Sequence, residues 1–145
     1  MSLTQKVRIV LQARTSTTRL PAKALLPLKG IPLSVLSSQR LNKGKYDFVL
    51  ATSEDRSDDF LCEVCKSYNI NFYRGDLHDV QKRFVDCTKD LDSEDLIVRV
   101  TADNPFPDEK FIQKLLEIYK FRNLKYLGTN LSLIHISEPT RRVRI

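Results

Sequence analysis

The sequence predicts an α/β fold, a three-layer sandwich around a mostly parallel sheet. Three observations carry this. Short β-branched, apolar runs recur along the chain; each is followed by a stretch with helical spacing of apolar residues; and the joints carry Pro, Gly, Asn or Asp. The chain has 145 residues, 41% hydrophobic and 29% charged, which is the size and make-up of one soluble domain. At that length roughly two-thirds of the unfolded surface can be buried, so a real core is possible.

Residues 7–12 (VRIVLQ) are short and apolar and predict a buried first strand. Residues 13–32 have no helical period and predict a long loop. A helix follows over 33–41, with Leu33, Val35, Leu36 and Leu41 apolar, then a turn over 42–45 and a second strand over 48–52. Asp55 or Ser57 is a candidate cap for a helix over 58–68, whose stripe is Phe60, Leu61, Val64, Cys65 and Tyr68. Asn69 closes it, and 71–73 is a third strand. Asp79 caps a helix over 79–90 with Val80, Phe84 and Cys87 on one face. Residues 96–100 form a fourth strand, broken off by Asn104-Pro105 and Pro107. Asp108 starts a helix to about Phe121, with Phe111, Ile112, Leu115, Leu116, Ile118 and Tyr119 inward, and 126–128 is a fifth strand.

Several function classes are disfavoured. No stretch approaches the ~20 apolar residues of a membrane span, and Met1 to Lys6 carry no apolar signal region, so a cytoplasmic protein is expected. Three cysteines are too few for a secreted scaffold. Cys62 and Cys65 form a C-x-x-C, but only two histidines exist, His78 and His135, and no second pair follows; plain buried thiols are expected. The net charge is +6. In residues 131–145 three arginines stand against Glu138, leaving +4 for residues 1–130. That charge is not clustered, and nucleic-acid signatures are missing, so no nucleic-acid partner is expected.

In parallel sheets ligands bind at the carboxyl ends of the strands, which points to three loops. The first, Gln12-Ala-Arg-Thr-Ser-Thr-Thr-Arg-Leu-Pro-Ala-Lys23, combines Arg14, Arg19 and Lys23 with four hydroxyls. Phosphate oxygens favour this mixture, although a solvated surface loop has the same composition, and it is not a P-loop. In Val100-Thr-Ala-Asp-Asn-Pro105, a carboxylate directly after a strand can hold Mg²⁺ that also takes phosphate oxygens, or it can serve the turn. In Arg74-Gly-Asp-Leu-His-Asp-Val-Gln-Lys-Arg83, Gly75 can supply a positive φ and His78 reads as a solvated loop residue.

Together these segments resemble the cytidylyltransferases of the spore-coat polysaccharide synthesis type, related to the acylneuraminate and Kdo enzymes. The resemblance rests on residues 9–33, on Phe48-Val-Leu-Ala-Thr-Ser53, on Tyr73-Arg-Gly-Asp with Asp79-Val and Arg83, and on Val98-Arg-Val-Thr-Ala-Asp-Asn-Pro105. It covers nearly all of residues 6–130. It implies a nucleotide-diphospho-sugar transferase-like fold, truncated here, and synthesis of a CMP-sugar from CTP with Mg²⁺. By the same resemblance Arg14, Arg19 and Lys23 grip the triphosphate, and Arg14, Lys23 and Asp103 carry catalysis. Ala13 approaches the nucleotide, Ala51, Thr52 and Arg74 lie near the cytosine, and Asp103 coordinates the metal. The parent protein is implied to be a homodimer.

One departure is local: Pro21-Ala22-Lys23 stands where the family often has Pro-Gly-Lys. The other is the end. Residues 131–141 resemble a translated sequencing adapter, which implies a nucleotide-binding part over 1–130, a non-native tail over 131–145 with no role for His135 or the tail arginines, and a fragment inactive alone. Alternative readings are a nucleotidyltransferase using GTP or UTP, a nucleotide-binding or regulatory module without turnover, and a glycosyltransferase, for which only Asp90-Leu-Asp92 offers a D-x-D.

Overall fold

The computed structural model describes residues 5–129 and the backbone of 142–144. Its elements in chain order are β1 (Val7–Gln12), β2 (Pro27–Leu28), β3 (Ile31–Pro32), α1 (Leu33–Leu41), β4 (Asp47–Ser53), α2 (Asp59–Ser67), β5 (Phe72–Gly75), α3 (Val80–Asp86), β6 (Leu96–Thr101), α4 (Glu109–Phe121), β7 (Tyr126–Gly128) and β8 (Arg142–Arg144). Of the expected tail over 131–145, residues 131–141 and 145 lie outside the described residues, while 142–144 form β8 between β6 and β7.

Strand order in the main sheet is β5-β4-β1-β6-β8-β7, and every pairing in it is parallel. β1 is central, with Gln12 opposite Ala51 of β4 and Thr101 of β6. The order runs outward from β1 through β4 to β5, then jumps back across β1 to β6. Because parallel crossovers are right-handed, reversing direction moves the connecting helix to the other face. Accordingly α1 and α2 pack on one face with Ile9, Leu11, Leu50, Val98 and Val100; α4, which follows the reversal, also lies on that face through Ile112, Leu115 and Leu116, a placement the rule does not account for. α3, the crossover that reverses, packs on the other through Phe84 and Cys87 against Val10 and Ala51. The reversal opens a crevice between the loops that follow β1 and β6.

The expected elements are all present, and the differences have local causes. The long loop over 13–32 contains a 3₁₀ turn at Lys23–Leu25 and the hairpin β2–β3. Lys29 and Gly30, both at positive φ, make that hairpin's two-residue turn. α1 buries Ser34, Ser37 and Ser38 besides Val35 and Leu41. Small residues let the helix lie close to the sheet, and Ser37 and Ser38 donate to the carbonyls of Leu33 and Ser34 at 3.0 and 2.7 Å.

The apolar stripes are narrower than predicted. α2 buries Leu61, Cys62 and Cys65, while Phe60 and Tyr68 are exposed. α4 buries Ile112, Leu115, Leu116 and Tyr119, one i, i+3, i+4, i+7 face, and leaves Phe111 and Ile118 on its edges. α3 stops at Asp86, short of the expected Asp90, because the chain turns through Cys87 and Thr88; the Thr88 hydroxyl donates to the Phe84 carbonyl at 2.9 Å. Asp55, Asp79 and Asp108 accept from Ser57, Lys82 and Phe111 N–H groups and cap as expected. All three cysteines are free and buried. Burial pushes the Cys65 thiol up to about 12 and the Cys87 thiol to about 11, which removes thiolate reactivity.

At the amino end of β1, Arg8 fastens three segments. Its Nε donates to Asp47 at 2.6 Å, its two Nη atoms to Asp90 at 2.6 and 2.8 Å, and Nη1 also to the Cys87 carbonyl at 3.0 Å. Asp90, half of the D-x-D, is thereby taken up in a structural clasp. The guanidinium pulls the Asp90 carboxyl from its ordinary 3.8 down to about 2. A lowered folded value adds stability above the unfolded value, and that stability is lost as pH falls through the folded one. Stability should therefore decline between about pH 4 and pH 2, and Asp90→Asn should flatten that limb in thermal melts across this range. An unchanged acid slope in Asp90→Asn would show the clasp to be energetically idle.

Candidate active site

Backbone pairing continues one residue beyond the strand ends: Ala13 N–H donates to the Ala51 carbonyl at 3.1 Å, and Ala102 N–H to the Gln12 carbonyl at 3.0 Å. From there the loop over 13–23 would be free to spread into solvent. It is instead held by Asp58, which is fully buried at the start of α2. One carboxylate oxygen accepts from the Thr15 N–H and lies within reach of the Thr15 hydroxyl, each at 2.7 Å. The other accepts from the Ser53 N–H at 3.2 Å and from the Ser53 hydroxyl. Burial pushes this carboxyl up, but the Ser53 and Thr15 donors outweigh it and leave it below the ordinary range. It stays charged without an ion-pair partner among the described residues, stabilised by donors from two loops.

The far end of the loop is closed by Ala22 N–H donating to the Thr15 carbonyl at 2.8 Å. That closure puts Ala22 at φ 57°, ψ 24°, the left-handed region that glycine occupies without strain. The 3₁₀ turn then begins at Lys23 and carries its ammonium to within 3.4 Å of the Asp103 carboxylate. Both groups are half-exposed, so the pair contributes little, ~0–1 kcal/mol, and is readily exchanged for a ligand. The Thr101 hydroxyl holds the Asp103 carboxyl below its ordinary range, and Lys23 adds to this against the opposing effect of burial.

Between this loop, the exposed sheet face at the carboxyl end of β1 and β6, and the first turn of α3 lies a cavity of about 540 Å³. Ala13, Arg14, Arg19, Lys23 and Asp103 all line it. The structure thus brings five of the sequence-predicted residues into one place. Arg14 is steadied by donating to the Leu77 carbonyl at 3.0 Å.

Ala51, Thr52 and Arg74 are not among the lining residues. Ala51 is fully buried beneath α3, and Thr52 is fully buried on the opposite sheet face. Arg74 turns toward α2, donating to the Ser53 and Asp55 carbonyls at 2.9 Å each and pairing with Asp59 at 2.7 Å.

Two further arginines were not predicted to line the site. Arg83 of α3 is 1% exposed yet borders the cavity. Arg99 of β6 borders it from the sheet, its Nε donating to Gln12 at 3.0 Å. Gly75 does not adopt the expected positive φ. A Cβ there would stand 2.9 Å from Arg83 Cγ, so the glycine makes room for that side chain. Five cationic side chains face one carboxylate in this cavity, together with the hydroxyls of residues 16–18 and 101. The arrangement suits a polyanion of phosphate type.

The sequence profile of the cytidylyltransferase family matches residues 8–142. An uncharacterized protein of Methanocaldococcus jannaschii is 34% identical over 134 residues, 91% of this chain and 55% of that protein. The spore coat polysaccharide biosynthesis protein SpsF of Bacillus subtilis is 31% identical over 119 residues, 78% of this chain and 49% of its own. A 3-deoxy-manno-octulosonate cytidylyltransferase of Psychrobacter is 27% identical over 78% of this chain and 42% of its own. Among solved structures, a cytidylyltransferase from Leptospira borgpetersenii superposes with a TM-score of 0.75 at 30% identity, covering 88% of this chain and 54% of that one. The chain spans about half the length of the relatives it matches.

Two outcomes test the loop. Ala22→Gly should relieve the left-handed strain and stabilise the fold by about 0.5–1 kcal/mol, read as a rise in Tm. A fall would mean that the loop relaxes elsewhere. Asp58→Ala should leave the Thr15 and Ser53 donors unpaired and cost about 3 kcal/mol, a drop in Tm of about 10 °C. A loss below 1 kcal/mol would contradict the anchoring role.

Proposed function

The chain belongs to the cytidylyltransferase family, and on that premise we propose that its cavity seats CTP for transfer of the CMP group to a sugar. The observation that carries this is the meeting of Arg14, Arg19 and Lys23 with Asp103 at the point where strand order reverses. A hydroxyl oxygen of the sugar attacks the α-phosphorus and gives up its proton to water; the new P–O bond forms as the bond from the α-phosphorus to the α–β bridging oxygen breaks, and pyrophosphate leaves. No covalent enzyme intermediate is needed. Such a reaction asks for alignment and for neutralisation of charge on the phosphoryl oxygens. Arg14, Arg19 and Lys23 supply the charge, and the Asp58 anchor supplies the alignment. The cytosine would lie toward Ala51, Thr52 and Arg74, whose positions beyond the cavity wall imply contact through backbone rather than through the Arg74 guanidinium.

Magnesium fits as a shared ligand rather than a caged one. Asp103 offers a single ionised carboxylate at the cavity wall, and among the described residues no group of three or more His, Cys, Asp or Glu stands together. Mg²⁺ commonly takes one or two carboxylates and completes its shell with phosphate oxygens and water. When bound there it would neutralise charge on the leaving pyrophosphate. Lys23 would then release Asp103 and turn to the phosphates.

The sugar proposed is a surface or spore polysaccharide precursor, of the acidic kind named for the Psychrobacter relative or a related one, joined in the cytoplasm by a homodimeric parent protein. No helix among the described residues is long and apolar enough to cross a membrane. A nucleotide-binding module without turnover is the alternative to be tested.

In calorimetric titrations, Lys23→Ala should weaken CTP binding at least tenfold, and CTP should bind more tightly than GTP or UTP. Asp103→Asn should keep its Tm but lose the dependence of CTP affinity on Mg²⁺. Unchanged CTP affinity in Lys23→Ala would remove the phosphate-loop reading. CTP binding without pyrophosphate release, even in a chain extended to the length of its relatives, would favour the binding module.

A further inference from the structure

Arg83 stands apart from the other cations of the cavity. Arg14, Arg19 and Lys23 sit on a loop, where water and counter-ions reach them. Arg83 comes from the middle of α3 and is 1% exposed while still bordering the cavity. Among the described residues its guanidinium has one hydrogen-bond partner, the Asp76 carbonyl, 2.6 Å from Nη1. Its Nε is buried without a partner, and no carboxylate pairs with it. A buried arginine without a counter-charge is strongly disfavoured, and Arg14 adds repulsion. Asp58 and Asp76 attract it only from a distance. Burial and Arg14 together hold the guanidinium below its ordinary value.

The surroundings are built to hold it there. Gly75 is the residue whose missing Cβ leaves space for Arg83 Cγ and Cβ, which a Cβ would meet at 2.9 and 3.2 Å. Arg14 and Arg83 donate to the consecutive carbonyls of Leu77 and Asp76. One short loop therefore steadies two arginines side by side at the cavity wall. Arg8, which also lies on this sheet face, has two carboxylates for company. Arg83 has no ion-pair partner among the described residues, which leaves room for a counter-charge on what enters the cavity.

We propose that Arg83 is a ligand-binding residue that receives an oxyanion of the bound substrate, paired with Arg14 across the same seat. This rests on the cytidylyltransferase reading and extends it to a residue with no assigned role. The oxyanion is either a phosphate of the nucleotide or the carboxylate of a sugar acid; the shared chemistry is a planar guanidinium meeting two oxygens.

The test is calorimetry on the wild-type chain, Arg83→Met and Arg83→Lys with CTP, inorganic pyrophosphate, cytidine and 3-deoxy-manno-octulosonate, alongside ligand-free melts. Arg83→Met should keep or raise the ligand-free Tm, because a buried unpaired charge is gone, while losing at least tenfold in affinity; Arg83→Lys should recover part of it. Loss toward CTP and pyrophosphate, with cytidine unaffected, assigns the phosphate. Loss toward the sugar acid alone assigns the carboxylate. If wild-type protein binds CTP and Arg83→Met binds every ligand equally well, this proposal fails and the cytidylyltransferase reading stands. If affinity falls in Arg83→Met only together with a drop in Tm, the role is structural and the proposal fails. If wild-type protein binds none of the four, both fail.

Discussion

The site depends on one buried carboxylate. Among the described residues Asp58 has no ion-pair partner, yet it is ionised because Thr15 and Ser53 surround it with N–H and O–H donors. Those donors belong to the loops after β1 and β4, so satisfying the charge means fixing the two loops against each other. The anchoring is stringent because a buried carboxylate left short of donors is costly. Everything downstream follows from the fixed position of Thr15: its carbonyl receives the Ala22 N–H, that closure places Lys23, and Lys23 reaches Asp103 on β6.

The consequence for electrostatics is a site folded against its own repulsion. Five cations stand around one carboxylate, and between Arg14 and Arg83 the like charges repel, a repulsion that a polyanion would relieve. The fold affords this because its stabilising contacts lie elsewhere. The apolar layer under α1, α2 and α4 is extensive, and the Arg8 clasp with Asp47 and Asp90 ties the opposite end of the sheet. Stability is concentrated at the amino ends of the strands and on the three-helix face. Functional strain is concentrated at the carboxyl ends, on the face that α3 covers alone.

Much of the fold was legible because its signals are local. Strands announced themselves as short β-branched runs, and Asp55, Asp79, Asn69 and Asp108 sat where caps and closures are needed. The cationic loop and Asp103 were legible because their chemistry is unusual for a strand end. What was not legible depends on contacts between distant segments. Asp58 looks like any polar residue before a helix until Thr15 arrives beside it. Arg83 was legible only as part of a family-like segment with no position of its own, and the packing of α3 onto β4 and β1 is what turns it inward. Arg74 is a further case: that its guanidinium is held against α2 by Asp59 and two carbonyls is invisible until those segments pack together. Serines in α1 were passed over because burial of a hydroxyl is visible only when its backbone acceptor is.

The contact between Gly75 and Arg83 has an evolutionary reading. A Cβ at position 75 would collide with the stem of Arg83 at 2.9 Å, eight residues along the chain and on a different element. The two positions are therefore not free to drift independently. Tyr73 Cε1 at 3.0 Å closes the same space from the strand side, so a larger residue at 75 would require both side chains to shift. The pair is sterically coupled: a side chain at 75 would disturb the guanidinium at the cavity wall although Gly75 does not itself line the cavity.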